Sequence, residues 1–178
     1  MSDGTGIEWT QATWNPVTGC TKLSPASPGC EHCYAATFAE RFRGTPGHYF
    51  ENGFDVQFRP DKLDLPLRWR RPRRIFVNSM SDLFHDQVPD DFIAKVFAIM
   101  ALAPQHTFQL LTKRHARMRT LLNNKAFLTE VCEHGHWFAH HWERPLDDRI
   151  FDHGPYPLPN VWLGVSTENQ KFADIRIP

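Results

Sequence analysis

Three cysteines crowd one short stretch, GCTKLSPASPGCEHCYA. Nine residues separate Cys20 from Cys30 and two separate Cys30 from Cys33. A C-x-x-C unit brings two sulfurs to one centre, so it serves metal binding or dithiol redox chemistry. Cys20 reaches the same centre across a loop that contains Pro25, Pro28 and Gly29. Zinc would need a fourth ligand, from His32 or from the distant Cys132, His134 and His136. A thioredoxin-like dithiol would use Cys30 and Cys33 and leave Cys20 unexplained. Three thiolates on a 4Fe-4S cluster would bind three irons and leave the fourth open. An open iron is what a cluster needs to chelate and reductively cleave S-adenosylmethionine. Three cysteines without chemistry are the remaining alternative.

Further polar residues recur just after apolar runs. NSMSDLFH supplies Asn78, Ser79 and Asp82, LLTKR supplies Thr112, Lys113 and Arg114, and GVSTENQ supplies Ser166, Glu168 and Asn169. Asp82 and Glu168 are candidate catalytic carboxylates, able to bond a ribose hydroxyl or to move a proton. Helix capping is the plain alternative for both. Asn78, Ser79, Lys113 and Ser166 are candidate cofactor-binding residues. Lys113 and Arg114 suit a substrate phosphate or the carboxylate of S-adenosylmethionine.

The elements that must position these residues alternate between strand and helix. Ile7 to Trp9, Asp55 to Arg59, Ile75 to Asn78, Thr107 to Leu111 and Val161 to Val165 read as strands. Cys33 to Arg43 reads as a helix that stops at Gly44. Asp61 to Trp69 reads as a helix interrupted by Pro66. Pro89 suits a first helical position, and Asp90 and Asp91 complement the positive end of the helix dipole. Phe92, Ile93, Val96, Phe97 and Met100 then make one apolar stripe. Arg114 to Leu122 and Asn169 to Ile177 complete the helices. This β/α alternation predicts an α/β fold with a parallel sheet. In such folds functional groups gather at the C-terminal ends of the strands. The stretch 125–159 breaks the rhythm and reads as an insertion of mixed helix and loop. The chain stops as a crossover helix begins, which predicts a fold truncated at its C-terminus.

Two other stretches are chemically conspicuous. RWRRPRR carries Arg68, Arg70, Arg71, Arg73 and Arg74 around Trp69, and a phosphate-contacting patch or a solvated lead-in to a strand both account for it. CEHGHWFAHHW places His136 and His140 one helical turn apart, but no Glu follows His136, which excludes an H-E-x-x-H protease. A surface insertion with aromatic anchors accounts for it as well. The 20 basic and 20 acidic residues balance, so bulk charge points to no polyanionic partner, although a nucleic-acid substrate stays open. No apolar run approaches the ~20 residues that span a membrane, and the N-terminus lacks the pattern of a secretory signal. A cytoplasmic location follows, where thiols stay reduced.

The segments IEWTQATWNPVTGC, CEHCYA, PRRIFVNSMSDLFH, TFQLLTKR and NVWLGVSTENQ resemble a phage- and prophage-associated family classed with the radical-SAM-like proteins. The resemblance runs from about Ile7 to Arg119 and from about Asn160 onward. It implies a partial (β/α) barrel of radical-SAM type, forming one domain over residues 1–178. It implies a 4Fe-4S cluster on Cys20, Cys30 and Cys33, with S-adenosyl-L-methionine as cosubstrate. It also implies further strands beyond GVSTENQ. The interval between Cys20 and Cys30 is longer than in the usual radical-SAM signature, and His32 stands where that signature has an aromatic residue.

Overall fold

The computed structural model describes residues 5–23, 27–146 and 158–177. In chain order the elements begin with β1 (Ala12–Trp14), β2 (Val17–Thr18), α1 (Pro28–Glu31), α2 (Tyr34–Glu40) and β3 (Gln57–Phe58). A 3-10 turn (Pro60–Lys62), α3 (Leu65–Arg68), β4 (Arg74–Val77), α4 (Asp90–Ala101) and β5 (Thr107–Thr112) follow. The described chain closes with α5 (His115–Leu122), α6 (Lys125–His141), β6 (Val161–Val165) and α7 (Gln170–Arg176). Strands β1, β4, β5 and β6 form one parallel sheet in that order, and β2 pairs antiparallel with β3.

Register explains which face is core. Ala12, Ile75, Phe108 and Val161 lie in one row across the four strands, and Trp14, Val77, Leu110 and Leu163 in the next. Both rows point toward the helices, where Ile93, Val96, Phe97 and Met100 of α4 and Phe127, Val131 and Phe138 of α6 complete one core. The intervening row, Thr13, Phe76, Gln109 and Trp162, points the other way. Trp162 is 59% exposed there. The strand order never reverses, and right-handed crossovers then place the connecting helices on one face. A doubly wound sheet would reverse and cover both.

Four parallel strands thus replace the five expected. Ile7 to Trp9 is a turn. The first strand starts at Ala12 because Ala12 and Trp14 can bury against Ile75 and Val77, whereas Trp9 meets Phe76 from the opposite face in a tilted ring contact at 4.7 Å. Asp55 to Arg59 yields only β3, whose partner is β2. Arg59 is therefore fixed beside that ribbon, donating through Nε to Thr18 Oγ1 at 3.1 Å. Pro66 sits inside a helix of one turn, and Asp61 to Trp69 is broken as its ring demands. Helix α4 keeps its predicted apolar stripe, but Pro89 occupies the N-cap and Asp90 opens the helix. In the stretch expected to be an insertion of mixed helix and loop, the helical part comes first. Lys125–His141 is one continuous helix whose Phe127, Val131 and Phe138 join the core. Residues 147–157 of that stretch, and Pro25 of the cysteine loop, lie outside the described residues.

Candidate functional site

Cys20 is delivered by a backbone clamp. Gly19 has φ +86°, and a Cβ there would lie 2.0 Å from the Asp55 carbonyl oxygen, so only glycine lets the chain pass. Gly19 N–H donates to Met80 O at 2.9 Å and Cys20 N–H to Phe54 O at 3.1 Å. Cys30 lies on α1, and Cys33 is the N-cap residue of α2. All three are free and half-buried. They line one cavity of about 340 Å³ together with Asn78, Ser79, Asp82, Lys113, Arg114 and Ser166. This cavity sits at the C-terminal ends of β4, β5 and β6, where the sequence placed a shared mouth.

Asp82 is the hub behind it. One carboxylate oxygen accepts from Thr112 Oγ1 at 2.7 Å and from Phe84 N at 3.0 Å, and the other accepts from Lys113 N at 3.1 Å. Arg114 Nη1 stands 3.5 Å away. The same Nη1 donates to Cys20 Sγ at 3.5 Å, and Nη2 donates to Thr21 O at 3.2 Å. Burial pushes the Cys20 thiol up, while the Arg114 guanidinium opposes that shift. His85 holds the same loop from the other side, with Nε2 2.7 Å from Thr21 Oγ1. Nε2 also accepts from Thr21 N at 3.2 Å, and Nδ1 accepts from Gln87 N at 3.1 Å. Burial, with Arg114 nearby, holds this imidazole below its ordinary value.

Glu168 lies behind α1 and fastens the cysteine loop to β6. It accepts from Ser27 Oγ at 3.1 Å, Arg176 Nη1 at 2.8 Å and Lys113 Nζ at 3.2 Å. Burial pushes its carboxyl up, but Lys113 and Arg176 outweigh this and hold it below the usual carboxylate range. A carboxylate so held stays charged, which suits an anchor better than a proton donor. Asn78 differs from its neighbours. It is buried, its φ is +58°, and neither atom of its side-chain amide has a hydrogen-bond partner among the described residues. A left-handed non-glycine residue with unmatched polar atoms facing a cavity marks a place where a ligand's groups fit. Ser79 Oγ is shared with Asn15 at 3.2 Å, and the Tyr34 hydroxyl donates to the Ser79 carbonyl.

Sequence reasoning had not singled out His85, Thr21, Tyr34, Ser27 or Arg176. His85 carried a usable signal, standing three residues beyond Asp82 in the same post-strand segment. The others act through pairings across long chain separations. Arg70 and Arg71 are exposed at the opposite, N-terminal end of the sheet, away from the cavity. On α6, His134 Nε2 pairs with Asp91 at 2.7 Å. Among the described residues, no three or more His, Cys, Asp or Glu side chains are arranged to hold one metal ion. His32 also lines the cavity, but its ring is exposed, with Nε2 4.0 Å from Glu31. A 4Fe-4S cluster asks for a different arrangement, because each cysteine binds a different iron. Three thiols around one cavity, with a guanidinium against one of them, fit that group.

A family model described as "Protein of unknown function (DUF5131)" matches residues 4–178. No curated protein and no solved structure matches the chain. Among the described residues no helix is long and apolar enough to cross a membrane.

Proposed function

The chain belongs to this family, and we propose that it is an iron–sulfur protein of radical-SAM type. Cys20, Cys30 and Cys33 would hold a 4Fe-4S cluster at the mouth of a partial (β/α) barrel. The observation that carries this reading is the meeting of the three thiols on one cavity at the strand ends. The unreversed order β1-β4-β5-β6, with β1 and β6 unpaired on their outer sides among the described residues, is the arc such a barrel would contribute. The bound cluster would supply one electron for reductive cleavage of S-adenosylmethionine.

The remaining roles belong to this chain's own side chains. The Asn78 amide offers one donor group and one acceptor to the cosubstrate. Ser79 and Ser166 add hydroxyls, and Lys113 adds a cation toward its carboxylate. Ala35, Phe54, Phe76 and Leu111 give the wall its apolar part. Asp82 and Glu168, the candidate catalytic carboxylates, act in this reading by positioning. Asp82 sets Thr112, Lys113 and Arg114, and Glu168 ties α1 to β6. The phage association and cytoplasmic location drawn from the sequence complete the proposal. The substrate, nucleic acid included, is left to experiment.

Cysteine replacement tests the ligand set. After anaerobic loading with iron and sulfide, Cys20→Ala, Cys30→Ala and Cys33→Ala should each lose the brown chromophore. Cys132→Ala, on α6, should keep it. Loss in Cys132→Ala, or retention in any of the other three, would show the ligand set to be wrong.

A further inference from the structure

We infer that Arg114 sets the reduction potential at this site by holding its charge against Cys20. The inference rests on the reading that the three cysteines carry a cluster. The Arg114 side chain is only 6% exposed. Its fork reaches the cysteine loop through both terminal nitrogens, to Cys20 Sγ at 3.5 Å and to Thr21 O at 3.2 Å. Its Nε is buried with no hydrogen-bond partner among the described residues. The backbone behind it is pinned. Arg114 N–H donates to Thr112 Oγ1 at 2.8 Å, and Thr112 in turn donates to Asp82.

The consequence is electrostatic. A guanidinium keeps its charge at all accessible pH values. Out of water, charges act on one another more strongly than at the surface. Reduction adds one electron, taken from an external reductant, and breaks no bond. Positive charge and a hydrogen bond at a ligating sulfur favour the more negative, reduced state. Asp82 works in the opposite sense at 3.5 Å from the guanidinium, so the site balances the two. Arg114 is therefore a positioning and charge-setting residue and need not touch substrate.

The test is an EPR-monitored potentiometric titration of the reconstituted full chain as wild type, Arg114→Lys and Arg114→Gln. Arg114→Gln should shift the midpoint to lower potential by about 59 mV, a tenfold change in the reduced-to-oxidised ratio for a one-electron couple. Arg114→Lys keeps the charge but loses the fork and should fall between. Equal midpoints in all three proteins would overturn the inference and leave the cluster assignment standing. A wild type that assembles no cluster would instead overturn the assignment. If Arg114→Gln cannot retain the cluster, Arg114→Met, which also removes the charge, decides: a lowered midpoint supports the inference, and an unchanged one overturns it. Loss of the cluster from both neutral variants would make Arg114 a structural support and overturn the inference too.

Discussion

Asp82 shows how a single side chain organises the site. It takes up two backbone N–H groups and one hydroxyl, and it lies beside a buried guanidinium. Asp82→Ala strands those donors and leaves Arg114 without its counter-charge. Urea unfolding should show a loss of about 3 kcal/mol, the range for breaking one side of a buried pair. A loss below about 1 kcal/mol would contradict the hub role. Two histidines make a pH prediction. Burial lowers both His85 and His106 from an ordinary value near 6.5, so the folded state favours the neutral ring. The unfolded chain then binds protons first as pH falls, and stability present above pH 6.5 is lost below it. Between pH 6.5 and about 5, before carboxylates titrate, the urea midpoint should fall. His106 accepts from Arg73 N at 3.2 Å and faces Pro66 O at 3.1 Å, so His106→Gln should flatten that slope. An unchanged slope would remove His106 from the account. Residue types and spacing made the cysteine trio and the post-strand polar residues legible. The contact of Arg114 with Cys20 was not, because it joins segments far apart in the chain and local pattern carries no information about such pairs.

At the scale of elements, local rules held where one element satisfies itself. Asn169 caps α7 by accepting from Phe172 N at 3.1 Å, and its sequence position announced that helix. Asn124 caps α6 in the same way, accepting from Ala126 N at 2.9 Å. Asn124→Ala should cost about 1 kcal/mol in thermal unfolding, with helix content retained. No measurable change would mean that packing on α4 alone sets where α6 starts. Periodicity failed where pairing decides. Asp55 to Arg59 alternates as a strand should, yet alternation does not name a partner, and β3 pairs with β2. The His- and Trp-rich composition of α6 disguised a core helix, because its apolar face is spread among polar residues. Gly19 is where one residue governs an element. Gly19→Ala would force Cβ into the Asp55 carbonyl and shift the Cys20 clamp. The variant should unfold at lower urea and bind iron more weakly. Wild-type behaviour in both assays would refute the clamp.

Across the whole molecule, one face of the parallel sheet packs under helices and the other carries exposed Trp162, Leu111 and Trp9. Parallel sheets ordinarily have both faces covered. The alternation in the sequence predicted buried strands, but nothing local in it says which of two apolar faces meets the helices. Trp162 packs little here, so Trp162→Ser should change stability by no more than about 0.5 kcal/mol. A cost above about 2 kcal/mol would show that this face is covered in solution. The central claim concerns the cavity at the sheet's C-terminal end, and one measurement bears on it most directly. The chain is reconstituted anaerobically with iron and sulfide, reduced, and its EPR spectrum recorded with and without S-adenosylmethionine. The account predicts a 4Fe-4S signal that S-adenosylmethionine perturbs. A colourless protein that instead holds one equivalent of tightly bound zinc would contradict it.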